Sequence, residues 1–206
     1  MTAALSPSAR PLTTRAARWL RRAGLLNAAV SSGMINPPHA TLTEEDTMAA
    51  KAEALAKQFE QKVQEATGVF ERLSDADWKK TTTSEKWTVG VVAHHLAGGH
   101  EGISGIIKTV AGGKSVPGFT MDMLHDMNAK HAKEFANASK AETIALHKKN
   151  AAAAAAVVRG LSDADLGKSG TVLTGMPPMS VEQIINGILL NHVEEHLKSI
   201  RTALGA

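Results

Sequence analysis

An apolar stripe of helical period is the strongest constraint this sequence places on its fold. From Met48 onward, Leu55, Phe59, Val63, Ala66, Phe70 and Leu73 recur every three or four positions. They therefore line one face of a helix of about seven turns. A stripe that long must be buried against other elements, and further stripes of the same period follow it, which predicts an all-α protein. Composition agrees: four Phe, three Trp and no Tyr are too few of the aromatics that strands favour, while alanine is abundant. The 206 residues suit one domain with a real core rather than two. The lack of cysteine excludes a disulfide scaffold, a thiolate metal site and a cysteine nucleophile. No apolar run approaches the roughly 18 residues that a membrane-spanning helix needs.

The net charge of +3 is unevenly placed. Arg10, Arg15, Arg18, Arg21 and Arg22 fall in the first 43 residues, which hold no Asp or Glu. The rest of the chain is close to neutral, so the basicity makes no case for a nucleic-acid partner. Residues 1–47 read as a separate leader, rich in Arg with scattered Ser, Thr and Pro. Such a segment suits a disordered tail, a targeting peptide, or a stretch upstream of a true start at Met48. Asn27, Ser31 and Ser32 interrupt what would be a secretory apolar region. Pro37-Pro38 and the polar stretch Thr41–Asp46 mark the boundary. Residues 48–206 are then the folded domain, expected in the cytoplasm unless the leader directs it elsewhere.

The first helix is expected to stop at Ser74-Asp75-Ala76-Asp77. A second starts behind Thr88, whose hydroxyl can cap the free amides of the first turn, and ends before Gly112-Gly113. A single helix over 121–160 would be a rod of about 60 Å, too long for a bundle of this size. Ser139-Lys140-Ala141-Glu142 has the form of a capping box and divides it. The reading is a short connecting helix at 121–136 and a bundle helix at 140–160, whose alanines Ala151 to Ala156 allow close packing. Pro177-Pro178 and the box Ser180-Val181-Glu182-Gln183 open a last helix that runs to Leu204. Leu73-Ser74-Asp75-Ala76-Asp77-Trp78 also recurs as Leu161-Ser162-Asp163-Ala164-Asp165-Leu166. Each copy closes one helix ahead of the next, as a bundle of two similar hairpins requires.

Nine histidines are many for this length, and their angles around the helices sort them. On helix two, Val92, Leu96, Gly99, Ile103, Ile106 and Val110 define the core stripe. Turning about 100° per residue from Val92, His95 lies about 60° to one side, His100 about 80° to the other, and His94 about 160° away. His95 can face the interior, His94 cannot, and His100 sits at the edge. On the last helix Val181, Ile185, Ile188, His192 and Ser199 lie within about 40° of one line, His196 about 60° from it, and Glu195 leans inward. His192 and His196 are four apart, so their rings stand one above the other. Inward imidazoles need partners, because an unsatisfied polar group in an apolar interior is costly. Hydrogen bonds can supply them. A divalent ion held by His-x-x-x-His is the alternative, and a third inward histidine from another helix strengthens it, three imidazoles being the usual set for an open catalytic zinc.

Lys86-Trp87-Thr88-Val89-Gly90-Val91-Val92-Ala93-His94-His95-Leu96 resembles the opening of helix two in the DinB-like family, the DinB/YfiT group of four-helix-bundle metalloenzymes. In that family a histidine eight residues after the tryptophan precedes a leucine, and counting from Trp87 reaches His95. Asn191-His192-Val193-Glu194-Glu195-His196 resembles the family's closing His-x-x-x-His. Asn128 and the Ser139–Glu142 helix start also match, so the resemblance spans 48–206 and none of the leader. It implies a four-helix bundle with a short extra connecting helix. It also implies a divalent ion, zinc or nickel, on His95, His192 and His196. Relatives include thiol-dependent S-transferases and isomerases. Gly98-Gly99 and Gly102 depart from that pattern, either opening room for a ligand or allowing close packing.

Three neutral imidazoles leave positions on an ion for water or a thiolate, whose pKa the ion lowers. Any sulfur in the reaction would arrive on a cosubstrate, since the chain has none to offer as thiol. The expected partners are a small electrophilic substrate and a low-molecular-weight thiol, with hydrolysis or S-transfer as the reaction; a homodimer is also compatible. Glu195 is the candidate base or ring-orienting carboxylate, with a salt bridge at the bundle edge as its alternative role. A non-catalytic bundle fastened by its ion, in a stress-associated or binding role, is the competing reading. The sequence has no Glu-x-x-His for a di-iron carboxylate site and no His-Glu-x-x-His for a zincin.

Overall fold

The structure is a computed structural model that describes residues 44–205. The leader's tail, targeting and late-start readings therefore lie outside the described residues up to position 43. In chain order the elements are α1 (Glu44–Arg72), α2 (Asp75–Trp78), α3 (Val89–Ala111), α4 (Met121–Glu134), α5 (Lys140–Arg159) and α6 (Asp163–Gly167). Then come β1 (Ser169–Gly170), β2 (Met179–Ser180), α7 (Val181–Ile184), a π-helical segment (Ile185–Leu190) and α8 (Asn191–Leu204). The architecture is the expected all-α four-helix bundle with a connecting helix. Long α1, α3 and α5 and the continuous run from α7 to α8 make the bundle, with α5 packed along both α1 and α3 and the last run packed on α3 and α1.

The opening stripe is the buried face of α1. Leu55, Phe59, Ala66, Phe70 and Leu73 are in the core and Val63 is half-buried. The helix includes Glu44, Glu45 and Asp46, so it starts earlier than the boundary expected from the sequence. Ser139, Thr88 and Ser180 cap α5, α3 and α7, each side chain accepting from the backbone amide three residues on; the reciprocal bond of the expected box is made by Gln183 to Ser180 but not by Glu142 to Ser139. The alanine run of α5 lets that helix lie close, with Ala151, Ala154 and Ala155 buried against the core.

The repeated Leu-Ser-Asp-Ala-Asp segments start helices as well as ending them. In each copy the serine side chain accepts from the third amide, and the aspartate there accepts from the serine's own backbone amide. Both one-turn helices, α2 and α6, are followed by an extended return to the next N-cap. An isolated bridge joins Thr81 to Thr88 in the first copy, and β1 pairs antiparallel with β2 (Ser169 with Ser180, Gly170 with Met179) in the second. The two hairpins thus share one local design. Trp78 of α2 donates its indole N–H to the Ala138 carbonyl at 2.9 Å and lies flat against Gly90, where an added Cβ would collide with the indole.

The π segment is the main departure from the expected last helix. It accommodates about one extra residue in the helical turn, so every later residue is rotated back relative to an unbroken α-helix. The core stripe accordingly passes through Leu189, Val193, Leu197 and Ile200 rather than through Ile188 and His192. His192 and His196 move to the flank of that stripe, and both are half-buried.

Candidate metal centre

His95 comes from the second turn of α3, and the loop before that helix is tightly tied. Thr82 N donates to the Trp87 carbonyl at 2.8 Å, and Val89 N to the Lys80 carbonyl at 2.8 Å. Lys86 has φ of 61°, a left-handed conformation that a side chain with a Cβ adopts only at a cost of about 1 kcal/mol or more. This turn presents Glu85 to α8. One carboxylate oxygen lies 2.9 Å from His196 Nδ1, and the other accepts from the Ser199 hydroxyl at 2.6 Å.

The three histidines meet between α3 and α8. His192 Nε2 and His95 Nε2 are 3.2 Å apart, and one nitrogen from each of His95, His192 and His196 falls within 4.8 Å of the others. Their ring centroids are separated by 4.5 to 5.1 Å. Gly99 makes the approach possible, because a Cβ there would collide with the His192 ring, whereas one at Gly98 or Gly102 would meet nothing within 4 Å. Close packing is therefore the role of Gly99 alone among the three. Trp87 packs edge-on to His95 at 5.4 Å.

The electrostatics suit ligation. Burial lowers the His95 pKa to about 4, helped by the nearby His196 and His131, and lowers that of His192 to about 2, helped by His196 and His95. Both rings are neutral at pH 7, as a metal ligand must be. Burial alone would raise the Glu85 carboxyl, but the His196, Ser199 and Thr82 donors outweigh it and hold it at about 2. The ionised Glu85 accepts a proton-bearing Nδ1 from His196, which leaves the His196 Nε2 lone pair free. A carboxylate orienting a histidine in this way is the standard support for a metal ligand. The donor set fits a divalent ion on a further count. Two imidazole nitrogens on a tetrahedral zinc at about 2.0–2.1 Å stand about 3.3 Å apart, close to the observed 3.2 Å. His192 Nδ1 is buried without a hydrogen-bond partner, so that ring has no orienting acceptor of the kind Glu85 gives His196.

Glu195 lies elsewhere. It is exposed and accepts from the Asn191 side chain at 2.9 Å, so its expected inward lean is corrected. The extra residue of the π segment explains this: two positions past buried Val193, Glu195 faces about 200° from the core direction. His94 is also better covered than its angle suggests, because α4 crosses over it. His94 stacks on Phe135 with centroids 3.8 Å apart and lies beside His131 at 3.4 Å. Sequence reasoning missed Glu85 and His131. Glu85 sits in a loop without periodicity; the available signal was Ser199, a polar residue on an inward line with no local partner. His131 was signalled by the spacing Leu124, Asn128, His131 and Phe135, the inner face of α4.

A second histidine pair stands deeper, away from the triad. His100 and His147 are fully buried, with His100 Nε2 3.0 Å from His147 Nδ1 and His147 Nε2 3.4 Å from the Val63 carbonyl. The carbonyl can only accept, so His147 carries its proton on Nε2 and receives one from His100. Phe59 and Phe70 pack edge-on to these rings at 5.2 Å. This is a core polar pair, and His100 is not at the edge where its angle put it.

Fold and site together define a four-helix bundle with a three-histidine cluster between two of its helices. The family model described as the DinB superfamily matches residues 58–200, and the chain belongs to that family. A solved structure of YfiT from Bacillus subtilis, described as a probable metal-dependent hydrolase with an unusual four-helix bundle topology, is similar in fold. The TM-score is 0.54 at 18% identity, covering 84% of this chain and 95% of that one. No curated protein sequence matches the chain. Among the described residues no helix is long and apolar enough to cross a membrane.

Proposed function

We propose that this protein is a metal-dependent enzyme in which His95, His192 and His196 hold one divalent ion, zinc or nickel. The reaction is hydrolysis or thiol-dependent S-transfer on a small electrophilic substrate. The observation that carries this reading is the convergence of three imidazole nitrogens within 4.8 Å, backed by Glu85 on His196. Family membership and the description of the YfiT structure support it.

Bound there, an ion would lower the pKa of a water or thiol and polarise the electrophile. The chain's own residues do the rest. Glu85 holds the His196 ring with its lone pair outward, Gly99 admits the His192 ring, and Trp87 walls the outer edge of His95. Half-burial of the three histidines leaves the centre reachable by a small molecule, and a cytoplasmic thiol pool is the source of sulfur in this reading. Glu195, exposed and bonded to Asn191, has no contact that would make it the base; Glu85 is the carboxylate that serves the centre.

The test is metal content of the purified protein, wild type against His95→Ala, His192→Ala and His196→Ala, followed by a screen of esters, amides and epoxide-like electrophiles with and without low-molecular-weight thiols. Stoichiometric metal lost in each variant, with turnover that follows the metal, is the expected result. Metal that survives all three changes sinks the assignment. Metal loss that lowers the melting temperature, with no turnover under any condition, selects the non-catalytic bundle instead.

A further inference from the structure

Helix α4 is the least anchored of the bundle's long elements, for it carries no fully buried residue. It rests on α3 through half-buried Leu124, Asn128, His131 and Ala132, with Phe135 just past its end. At this contact His131 Nε2 lies 3.4 Å from His94 Nδ1. That is within the range of a long, weak hydrogen bond. It is close to the separation of about 3.3 Å that two imidazole nitrogens take on a tetrahedral zinc. Phe135 fixes both rings, stacking on His94 and lying 4.7 Å from His131. Glu134 is three residues past His131, on the same flank of the helix. Glu134 itself is exposed, and its carboxylate would have to swing in to complete the pair.

We propose that His94 and His131, joined by Glu134, form a second divalent-cation site that clips α4 onto α3. Its donors, two imidazoles and a carboxylate, suit zinc, nickel or cobalt rather than calcium or magnesium. With two ring nitrogens and an exposed carboxylate it binds more weakly than the three-histidine centre. It has a consequence for the neighbouring centre, because His131 packs edge-on to His95 at 5.4 Å. An ion on the clip would hold α4 closed over His95. The second site uses none of the three triad histidines, so it stands or falls separately.

The full chain, stripped by chelator, is titrated with cobalt(II) and followed by calorimetry and visible absorption. The clip predicts that His131→Ala and His94→Gln each lower the stoichiometry by one equivalent, the weaker one, and leave the tighter one in place. Circular dichroism melts of both variants check that they are folded. The weaker equivalent should also protect α4 from limited proteolysis in the wild type. Unchanged stoichiometry in either variant overturns the proposal. His192→Ala serves the other question: it should remove the tighter equivalent, and its failure to do so would strike the triad without touching the clip.

Discussion

At the scale of single residues, function turns on which carboxylate reaches the histidines. Glu85 does so through two short hydrogen bonds, to His196 and Ser199, and Glu195 through none. Replacing Glu85 by Gln removes the charge that keeps the His196 Nε2 lone pair directed outward. Metal affinity should fall about 10–100-fold, while Glu195→Gln leaves it unchanged; competition with a chromogenic chelator reads both. The glycines of α3 give a second contrast. Gly99→Ala places a Cβ in the His192 ring and should cost metal affinity. Gly98→Ala meets open space and should leave affinity intact while stabilising the helix by about 0.5–1 kcal/mol, measured by denaturant unfolding. The clustering of the three histidines was legible because helical spacing puts His95 on an inward face and pairs His192 with His196. Glu85 was not, since a loop residue reaches its partner through a turn that only the folded backbone specifies, here at Lys86.

At the scale of elements, the helix ends were written in the sequence. Thr88, Ser139 and Ser180 cap their helices because each hydroxyl satisfies an amide that the first turn leaves free. Thr88→Ala should therefore cost about 1 kcal/mol of unfolding free energy without changing metal stoichiometry. A loss of stoichiometric metal in that variant would mean that the cap also positions the site. What sequence angles could not supply was the π segment Ile185–Leu190. Its residues are apolar throughout except the helix-weakening pair Asn186-Gly187, which marks an irregularity without specifying a π turn. The angles counted from Val181 were thus sound up to Ile185 and shifted by about one residue beyond it. The shift moves the histidine pair from the centre of the core to its edge, where both are half-buried.

At the scale of the whole molecule, the fold holds a second set of imidazoles that governs its response to acid. Burial lowers the pKa of His100 to about 3 and of His147 to about 4 from an ordinary 6.5. Below pH 6.5 the unfolded chain takes up protons that the folded chain refuses, so stability falls as pH drops from about 6.5 toward about 4. The double change His100→Leu with His147→Leu should flatten the dependence of melting temperature on pH in that window. An undiminished slope would show that the pair is not its source. His95 and His192 add to the same slope in the metal-free protein, and metal, which binds only their neutral form, should steepen the loss of stability in acid.

The claim on which the rest depends is that three imidazoles hold one ion. Zinc K-edge X-ray absorption on protein carrying a single tight equivalent counts them directly. The account predicts a first shell of light atoms at about 2.0–2.1 Å with the multiple scattering of three imidazole rings, reduced to two in His196→Ala. A shell with one ring or none, or one that is identical in wild type and His196→Ala, would contradict it.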